Sequence, residues 1–336
     1  MNSIALDRVN NRVRELMPGF VVSLIVATAA SFLSEHYDVP VMLFALLLGM
    51  ALNFLAVDGK CKAGIEFTAR SVLRIGIALL GMRITLGQIA DLGWQPVALV
   101  VALVVVTILV SVAAAQALGF QRLFGMLTGG ATAICGASAA LALAAALPNH
   151  PQKERATLFT VIGVSALSTL AMIVYPMIAS WAGLSPQQAG IFLGATIHDV
   201  AQVVGAGYSM STETGDTATV VKLMRVAMLL PVIVCAAMIT RMQGTDPTGK
   251  RPPLLPMFAV GFLILACINS TGWVPDSVQG GVNDLSRWCL IVAISALGMK
   301  TQLRELASVG IKPILLMVGE TVFLAGLVLL LLRWVI

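Results

Sequence analysis

An imidazole, a carboxylate and a carboxamide interrupt an apolar stretch near the middle of the chain. His198, Asp199 and Gln202 all lie within GIFLGATIHDVAQVVGAGYS, residues 190–209. His198 and Gln202 are four residues apart, so they share a face if the segment is helical. An ionisable group at the centre of a membrane helix costs at least ~2.5 kcal/mol, so it normally faces a cavity or a partner. The stretch therefore predicts a binding site for a polar ligand or a proton. The alternative is a structural role, in which Asp199 pairs with a group on a neighbouring helix.

A second stretch, GGATAICGASAALALAAALP (129–148), consists mostly of small residues. Its glycines weaken a helix, and its hydroxyls can satisfy backbone groups that a break sets free. We expect a broken helix whose backbone N–H groups face a ligand, with breaks at Gly129–Gly130 here and at Gly194 in the other stretch. Close packing of helices is the alternative explanation for the small residues.

Two cations follow in TATVVKLMRVAMLLP (217–231), where Lys222 and Arg225 are three residues apart and share a face. We expect Arg225 to neutralise Asp199 or to hold an oxyanion through its planar fork of donors. Helix N-termini at the breaks would add partial positive charge, so the set favours an anionic substrate. Asp199 alone would also suit a proton or Na⁺, and His198 titrates near neutral pH. Glu320, within the last apolar segment, is either a proton relay or a structural partner.

These residues form one predicted site. The proton-coupling candidates are His198 and Asp199, and the substrate-binding candidates are Gly129, Gly130, Thr132, Cys135, Gly136, Ser138, Thr196, Gln202 and Arg225. We expect no metal and no cofactor, because the three histidines are far apart and the five cysteines are scattered without a C-x-x-C pair. The sequence has no P-loop motif, which argues against ATP-driven transport.

The composition indicates the elements that carry this site. Only 11% of the residues are charged and 58% are hydrophobic, whereas soluble proteins have about 25% charged residues. We predict an all-α polytopic membrane protein with about 9–11 transmembrane segments, two of them broken or re-entrant. The partner is the lipid bilayer and not nucleic acid, because the net charge of +5 comes from basic residues in short loops. The eleven apolar segments lie near 18–34, 39–57, 68–82, 95–117, 125–147, 156–182, 187–207, 218–240, 254–271, 285–299 and 313–334.

Loop charges predict the orientation in a bacterial inner membrane. Basic residues before the first segment and in loops 58–70 and 241–253 indicate the cytoplasmic side, and the acidic loops 35–38 and 211–216 the periplasmic side. The N-terminus is then cytoplasmic and the C-terminus periplasmic. The basic loop 149–155 fits only if the segments 125–147 and 187–207 are re-entrant, which we favour slightly over broken spanning helices.

A repeated motif supports a transporter. LGMRITLGQIADLGWQP (80–96) recurs as LGMKTQLRELASVGIKP (297–313), and the loop charges put the two copies on opposite faces of the membrane. This is the mark of an inverted repeat, here with halves 16–150 and 153–336, and such repeats are typical of secondary transporters. Chance similarity is the alternative. The matched pairs are Leu80/Leu297, Gly81/Gly298, Met82/Met299, Leu86/Leu303, Ala90/Ala307, Gly93/Gly310 and Pro96/Pro313.

Four blocks carry a family resemblance: LRIGIALLGMRITLGQIADLG (73–93), GGATAICGASAALA (129–142), GATIHDVAQVVGAG (194–207) and KLMRVAMLLP (222–231). Within them, the strings ICGAS and HDVAQV are specific in their order and spacing. Over nearly its whole length the chain resembles the YeiH-type family of bacterial inner-membrane proteins, which is assigned to sulfate or sulfite export. The resemblance implies a secondary transporter distantly similar to cation–proton antiporters and to glutamate or citrate carriers, and a homodimer. It also marks motif positions: Cys135, Gly136, His198, Asp199, Gln202 and Arg225.

We therefore predict a proton-coupled secondary transporter that exports a small inorganic oxyanion of the sulfate or sulfite type by alternating access. One alternative is a proton- or sodium-coupled carrier of another small solute, such as an organic acid or a sulfonate. A passive channel is another. An intramembrane enzyme that uses Cys135 with His198 is disfavoured, because ICGASA has no second acid or base nearby. We expect no enzymatic activity.

Overall fold

The computed structural model of the protein describes residues 2–37, 41–57, 59–87, 94–147, 153–242, 257–300 and 311–334. All regular secondary structure in these ranges is helical. Helices long and apolar enough to cross a membrane are Arg12–Tyr37, Trp94–Ala117, Arg155–Trp181, Thr212–Met238, Asp276–Lys300 and Ile311–Arg333. Shorter apolar helices accompany them, which confirms the prediction of an all-α polytopic membrane protein. The repeat positions Ala90, Gly93, Leu303, Ala307 and Gly310 and loop residues 148–152 and 243–256 lie outside the described residues.

The helices run in chain order as α1 (Asn2–Tyr37), α2 (Val41–Ala51), α3 (Phe54–Val57), α4 (Lys62–Phe67), α5 (Leu73–Leu79), α6 (Trp94–Ala117), α7 (Arg122–Ala133), α8 (Ala137–Ala146), α9 (Lys153–Trp181), α10 (Pro186–Thr196), α11 (Val200–Met210), α12 (Thr212–Ala227), α13 (Leu229–Met242), α14 (Met257–Ser270), α15 (Asp276–Lys300) and α16 (Ile311–Trp334). They form two compact units, Met1–Ile89 with Met257–Gln302 and Ala90–Pro256 with Leu303–Ile336. Each unit takes segments from both halves of the chain.

The first unit is held together by close backbone contacts at glycines. A methyl group added at Gly64 in α4 would lie 2.0 Å from the carbonyl oxygen of Leu16 in α1. One added at Gly298 in α15 would lie 2.4 Å from the carbonyl oxygen of Leu46 in α2. Small residues allow membrane helices to approach this closely, so the glycines here serve packing. Lys300 pairs with Glu66 at 3.8 Å in the same unit.

The second unit contains two helical hairpins. We call α7 with α8 hairpin 1, and α10 with α11 hairpin 2. In hairpin 2, both arms run along α12: Thr214 Oγ1 in the first turn of α12 donates to the carbonyl of Pro186 at 3.1 Å, and a methyl group at Gly207 would lie 2.8 Å from Gly215 Cα. The start of α10 and the end of α11 thus lie at the same end of α12. The two ends of hairpin 2 therefore lie on the same side of the second unit.

Hairpin 1 folds back in the same way. Leu147, just after α8, packs in one cluster with Leu127 of α7, and a cavity of about 220 Å³ is lined by Phe120 before α7 and by Leu147 and Lys153 after α8. The ammonium group of Lys153 donates to the carbonyl of Leu147 at 2.9 Å, and its burial lowers the pKa of Lys153. Because α9 begins at Lys153 and hairpin 2 follows the end of α9, the two hairpins open at opposite ends of this long helix.

Candidate functional site

The tips of the two hairpins meet. Tip 1 (residues 134–136) joins α7 to α8, and tip 2 (residues 197–199) joins α10 to α11. A methyl group added at Gly136 would lie 3.6 Å from both Cβ and the carbonyl oxygen of His198. Both tips are buried except for the half-buried Asp199. The two stretches that the sequence selected for chemistry are therefore neighbours in space.

The break in the first stretch lies at Gly136, not at Gly129–Gly130 as expected. Gly136 has φ 63° and ψ −127°, a conformation that only glycine adopts readily. Gly129 and Gly130 lie inside α7, where added methyl groups would be 2.4 Å from Ser111 Cβ and 2.2 Å from Leu143 Cδ1. These two glycines serve close packing, which overrides their weak helix propensity.

The second stretch breaks after Thr196, also later than expected. Gly194 lies within α10, and a methyl group there would be 2.5 Å from the carbonyl oxygen of Ala218 in α12. The hydroxyl of Thr196 donates back to the carbonyl of Phe192 at 2.6 Å, so it does not face a ligand. The chain leaves the helix at Ile197 (φ −66°, ψ 136°) and enters α11 through Asp199.

Lys222 joins the two tips through the backbone. Its ammonium group donates to the carbonyls of Ile134 in tip 1 (2.7 Å) and of Ile197 (2.9 Å) and His198 (2.5 Å) in tip 2. The three N–H donors of a lysine are then all used. The side chain is fully buried. The spacing of Lys222 and Arg225 predicted a shared helix face, but no sequence signal assigned Lys222 to the site.

Arg225 makes a second bridge one turn further along α12. Its Nε donates to the carbonyl of Ala133 (2.8 Å) and Nη2 to that of Thr132 (2.7 Å), both at the end of α7. Nη1 donates to the carbonyls of Gly194 (3.1 Å) and Ile197 (3.0 Å), at the end of α10. The guanidinium group therefore caps two helix C-termini, whose last carbonyls have no intrahelical partner and carry partial negative charge. Its hydrogen bonds go to these carbonyls and not to the Asp199 carboxylate.

The imidazole of His198 is enclosed by hairpin 1 and α16. Its Nδ1 lies 3.1 Å from the carbonyl oxygen of Thr132, and its Nε2 lies 3.0 Å from Thr321 Oγ1. A carbonyl only accepts, so Nδ1 carries the proton in this contact. Thr321 Oγ1 also lies 2.8 Å from the carbonyl oxygen of Met317, so its one proton serves either that carbonyl or Nε2. Both ring nitrogens have partners. Neither hydrogen bond involves Cys135, which is itself buried in tip 1.

Asp199 and Gln202 lie at the start of α11. Asp199 Oδ1 accepts from the backbone N–H of Ala201 at 2.8 Å, so this carboxylate is the N-cap of α11. Gln202 Nε2 donates to Thr169 Oγ1 at 3.0 Å, whereas Gln202 Oε1 is buried without a hydrogen-bond partner among the described residues. Ser138, in the first turn of α8, is exposed. The first turns of α8 and α11 thus contain the accessible part of the site.

Glu320 lies within the same unit and is only 3% exposed. Hydroxyl groups surround its carboxyl: Ser111 and Thr128 donate to Oε1, the latter at 2.7 Å, and Thr132 donates to Oε2 at 3.0 Å. None of these partners of Glu320 was predicted from the sequence. Ser111 in the mostly apolar α6 was one available signal, together with Thr107 one turn earlier, but nothing in the sequence connects Ser111 with Glu320, 209 positions away.

The site gathers positive charge. Lys222 and Arg225 are buried beside the tips. Helix α8 begins directly after tip 1 and α11 directly after tip 2, so the dipoles of these helices add partial positive charge at both tips. Asp199 is the opposing charge at the opening. The described residues contain no cluster of three or more His, Cys, Asp or Glu side chains that could hold a metal ion. The arrangement suits the binding of a small anion by backbone N–H groups.

Fold and site together define a multi-pass helical membrane protein. Two of its predicted segments are interrupted helices that fold into hairpins, and the tips of these hairpins form one buried polar centre. The chain belongs to the family described as conserved hypothetical protein 698, whose model matches residues 18–317. It is 55% identical to a UPF0324 membrane protein of Chlorobaculum tepidum, over 93% of this chain and 88% of that protein. It is 54% identical to the UPF0324 membrane protein TauZ of Paracoccus denitrificans, over 92% of each chain. The resemblance to the YeiH-type family is thereby confirmed.

Proposed function

We propose that the protein is a secondary transporter that exports a small oxyanion of the sulfate or sulfite type. The observation that carries the proposal is the pair of hairpin tips, where two helix N-termini open beside two buried cations. Broken helices whose N-terminal ends face an anionic group are a recurring binding device of secondary transporters. The anion would lie at the first turns of α8 and α11, near the exposed Ser138 and the half-buried Asp199.

Basic residues lie at the open end of hairpin 1. Lys153 and Arg155 lie at the open end of hairpin 1, and Pro313 near the start of α16 lines the same cavity. Basic residues favour the cytoplasmic side, so α16 would begin in the cytoplasm and end in the periplasm. This supports a bacterial inner-membrane protein with a cytoplasmic N-terminus and a periplasmic C-terminus.

We propose transport without an enzymatic step. Catalysis by a Cys135–His198 pair would need the imidazole to act as a base on the thiol. The ring nitrogens of His198 instead contact Thr132 and Thr321. Cys135 is better explained as a small side chain that fits the crowded tip.

Binding by the purified protein tests the proposal. We would measure thermal stabilisation by sulfite, sulfate, thiosulfate, methanesulfonate and succinate, each at two pH values. We expect saturable stabilisation by a sulfur oxyanion. The Ser138→Phe variant should lose it, because the ring would cover the N–H groups in the first turn of α8. Leu141→Phe is the matched control, since Leu141 is 58% exposed on the same helix, one turn further from those groups.

Each outcome is decisive for one element of the proposal. Equal stabilisation of both variants would place the anion elsewhere. Stabilisation by methanesulfonate or succinate alone would make the protein a carrier of sulfonates or organic acids. No response to any of the five anions, combined with stabilisation by Na⁺ that Asp199→Asn abolishes, would replace the anion by a cation.

A further inference from the structure

Glu320 is a buried carboxyl with an unusual set of partners. It lies within α16 at 3% exposure, and among the described residues no cation lies within ion-pair distance of it. Its contacts are hydroxyl groups: Ser111 on α6, and Thr128 and Thr132 on α7. A buried carboxylate normally pairs with a cation. Here the two nearby cations, Lys222 and Arg225, give their hydrogen bonds to backbone carbonyls.

We propose that Glu320 binds the proton that is coupled to anion binding. This inference rests on the proposed function and names the coupling group within it. His198 and Asp199, the candidates from sequence, then have positioning roles: His198 joins hairpin 1 to α16, and Asp199 caps α11.

The hydrogen bonds around Glu320 can be completed in either protonation state. In the carboxylate, the three hydroxyl groups donate to Oε1 and Oε2. In the acid, the carboxyl proton donates to Ser111 Oγ, which turns its own proton to the carbonyl of Gly125 at 2.8 Å. Thr128 Oγ1 has a corresponding alternative in the carbonyl of Phe124 at 3.1 Å. Because a hydroxyl group both donates and accepts, neither state leaves a buried polar atom unpaired.

Thr132 connects this carboxyl to the tips. Its hydroxyl donates to Glu320 Oε2, and its carbonyl accepts from Arg225 Nη2 and from His198 Nδ1. Thr321, the next residue after Glu320, contacts His198 Nε2. A proton gained or lost at Glu320 therefore changes hydrogen bonds on residues that hold both tips.

Other titratable groups are few on the helices packed against α16. Neither α6 nor α10 carries an acidic, basic or histidine residue. The remaining groups are at helix ends, in the tips or, for Tyr175, within α9: Arg122, Lys153, Glu154, Arg155, Tyr175, Lys312, Arg333, Cys135, His198, Asp199, Lys222 and Arg225. At the centre of the unit, the positive charges of Lys222 and Arg225 balance the negative charges of Asp199 and an ionised Glu320. A bound anion adds negative charge there, so it favours a proton on Glu320. By reciprocity, the proton favours the anion equally.

Infrared difference spectroscopy across a pH titration tests the proton site directly. A protonated carboxylic acid has a carbonyl band separate from those of carboxylates, and the band shifts in D₂O. We expect one such band in the purified protein to disappear in Glu320→Gln and to persist in Asp199→Asn. The carboxamide that replaces Glu320 is isosteric with the protonated acid, so we expect this variant to fold.

A second variant keeps the test open if Glu320→Gln does not fold. Thr128→Val removes one donor to the carboxylate, so the acid band should persist to higher pH in the folded protein. A band unchanged in both variants would overturn the inference.

The final comparison separates the two proposals. With sulfite or sulfate present, the band assigned to Glu320 should persist to higher pH. If the band is lost in Glu320→Gln but does not respond to an anion that stabilises the protein, Glu320 binds a proton that is not the coupled one. If anions stabilise the protein and no band depends on Glu320, the transporter proposal stands and the Glu320 inference falls.

Discussion

Lys222 and Arg225 determine what kind of centre the hairpin tips form. A fully buried cation is costly unless its donors are satisfied. These two side chains reach acceptors on both hairpins, namely the carbonyls that end α7 and α10 and those of the tips. They neutralise partial charges that the breaks themselves create. The cations are therefore a structural requirement of the broken helices and also a source of positive potential for an anion.

Replacing Lys222 by Met should destabilise the protein strongly. The variant leaves the carbonyls of Ile134 and His198 without this donor, and buried unsatisfied groups cost about 1–3 kcal/mol each. We expect a large drop in the thermal midpoint in detergent. Arg70→Met is the matched control: its exposed ion pair with Glu66 at 3.2 Å contributes about 0–1 kcal/mol. A Lys222→Met midpoint equal to that of Arg70→Met would contradict the capping role.

Among the elements of the second unit, the glycines of hairpin 1 have two roles: Gly129 and Gly130 pack against neighbouring side chains, and Gly136 interrupts the helix. The sequence predicted correctly that both stretches are interrupted helices, because small and polar residues replace Leu, Val and Ile there. It did not predict the position of the break in the first stretch, because Gly129, Gly130 and Gly136 are all glycines among small residues and each could interrupt a helix. Only the backbone distinguishes them: Gly136 alone among the three has a positive φ. The hydrogen bonds of Arg225 to backbone carbonyls could not be predicted either. A sequence shows which side chains are present, but not which backbone carbonyls lose their helical partners at a break.

Helices α6 and α7 pack closely at Gly129. Gly129→Ala would put Cβ 2.4 Å from Ser111 Cβ and 3.2 Å from Ile108 Cα, so the two helices must move apart. Overpacking of this kind costs about 1–3 kcal/mol, and we expect a lower thermal midpoint. Gly319→Ala on α16 is the control: no atom lies within 4 Å of its added methyl group, so its midpoint should stay equal or rise. Equal midpoints for the two variants would show that α6 and α7 are not packed at Gly129.

For the molecule as a whole, the hairpins determine which of the described chain positions share one side of the second unit. Because hairpin 1 returns to the end where it starts, Gln121 and Arg155 lie on the same side of the second unit. Gln187 and Glu213 flank hairpin 2 at the other end of α9. All four side chains are exposed. A spanning α7–α8 pair would instead put Gln121 and Arg155 on opposite sides.

Accessibility to a membrane-impermeant thiol reagent tests this arrangement. In a background without the five native cysteines, single Cys substitutions at Gln121 and Arg155 should react from the cytoplasmic side. Those at Gln187 and Glu213 should react only from the periplasmic side. Labelling of the first two positions from opposite sides would refute the re-entrant hairpin 1. Reaction of all four from one side would refute the opposite orientation of the hairpins.

The shared cations have a consequence for gating. Lys222 binds carbonyls of tip 1 and tip 2 at once, so neither tip can withdraw without disturbing the hydrogen bonds of the other. Two independent gates, one closing as the other opens, cannot be built from tips that share one ammonium and one guanidinium group. In the proposed transport, both tips and α12 therefore move together as one rigid body. The bound anion is carried across the membrane with this body.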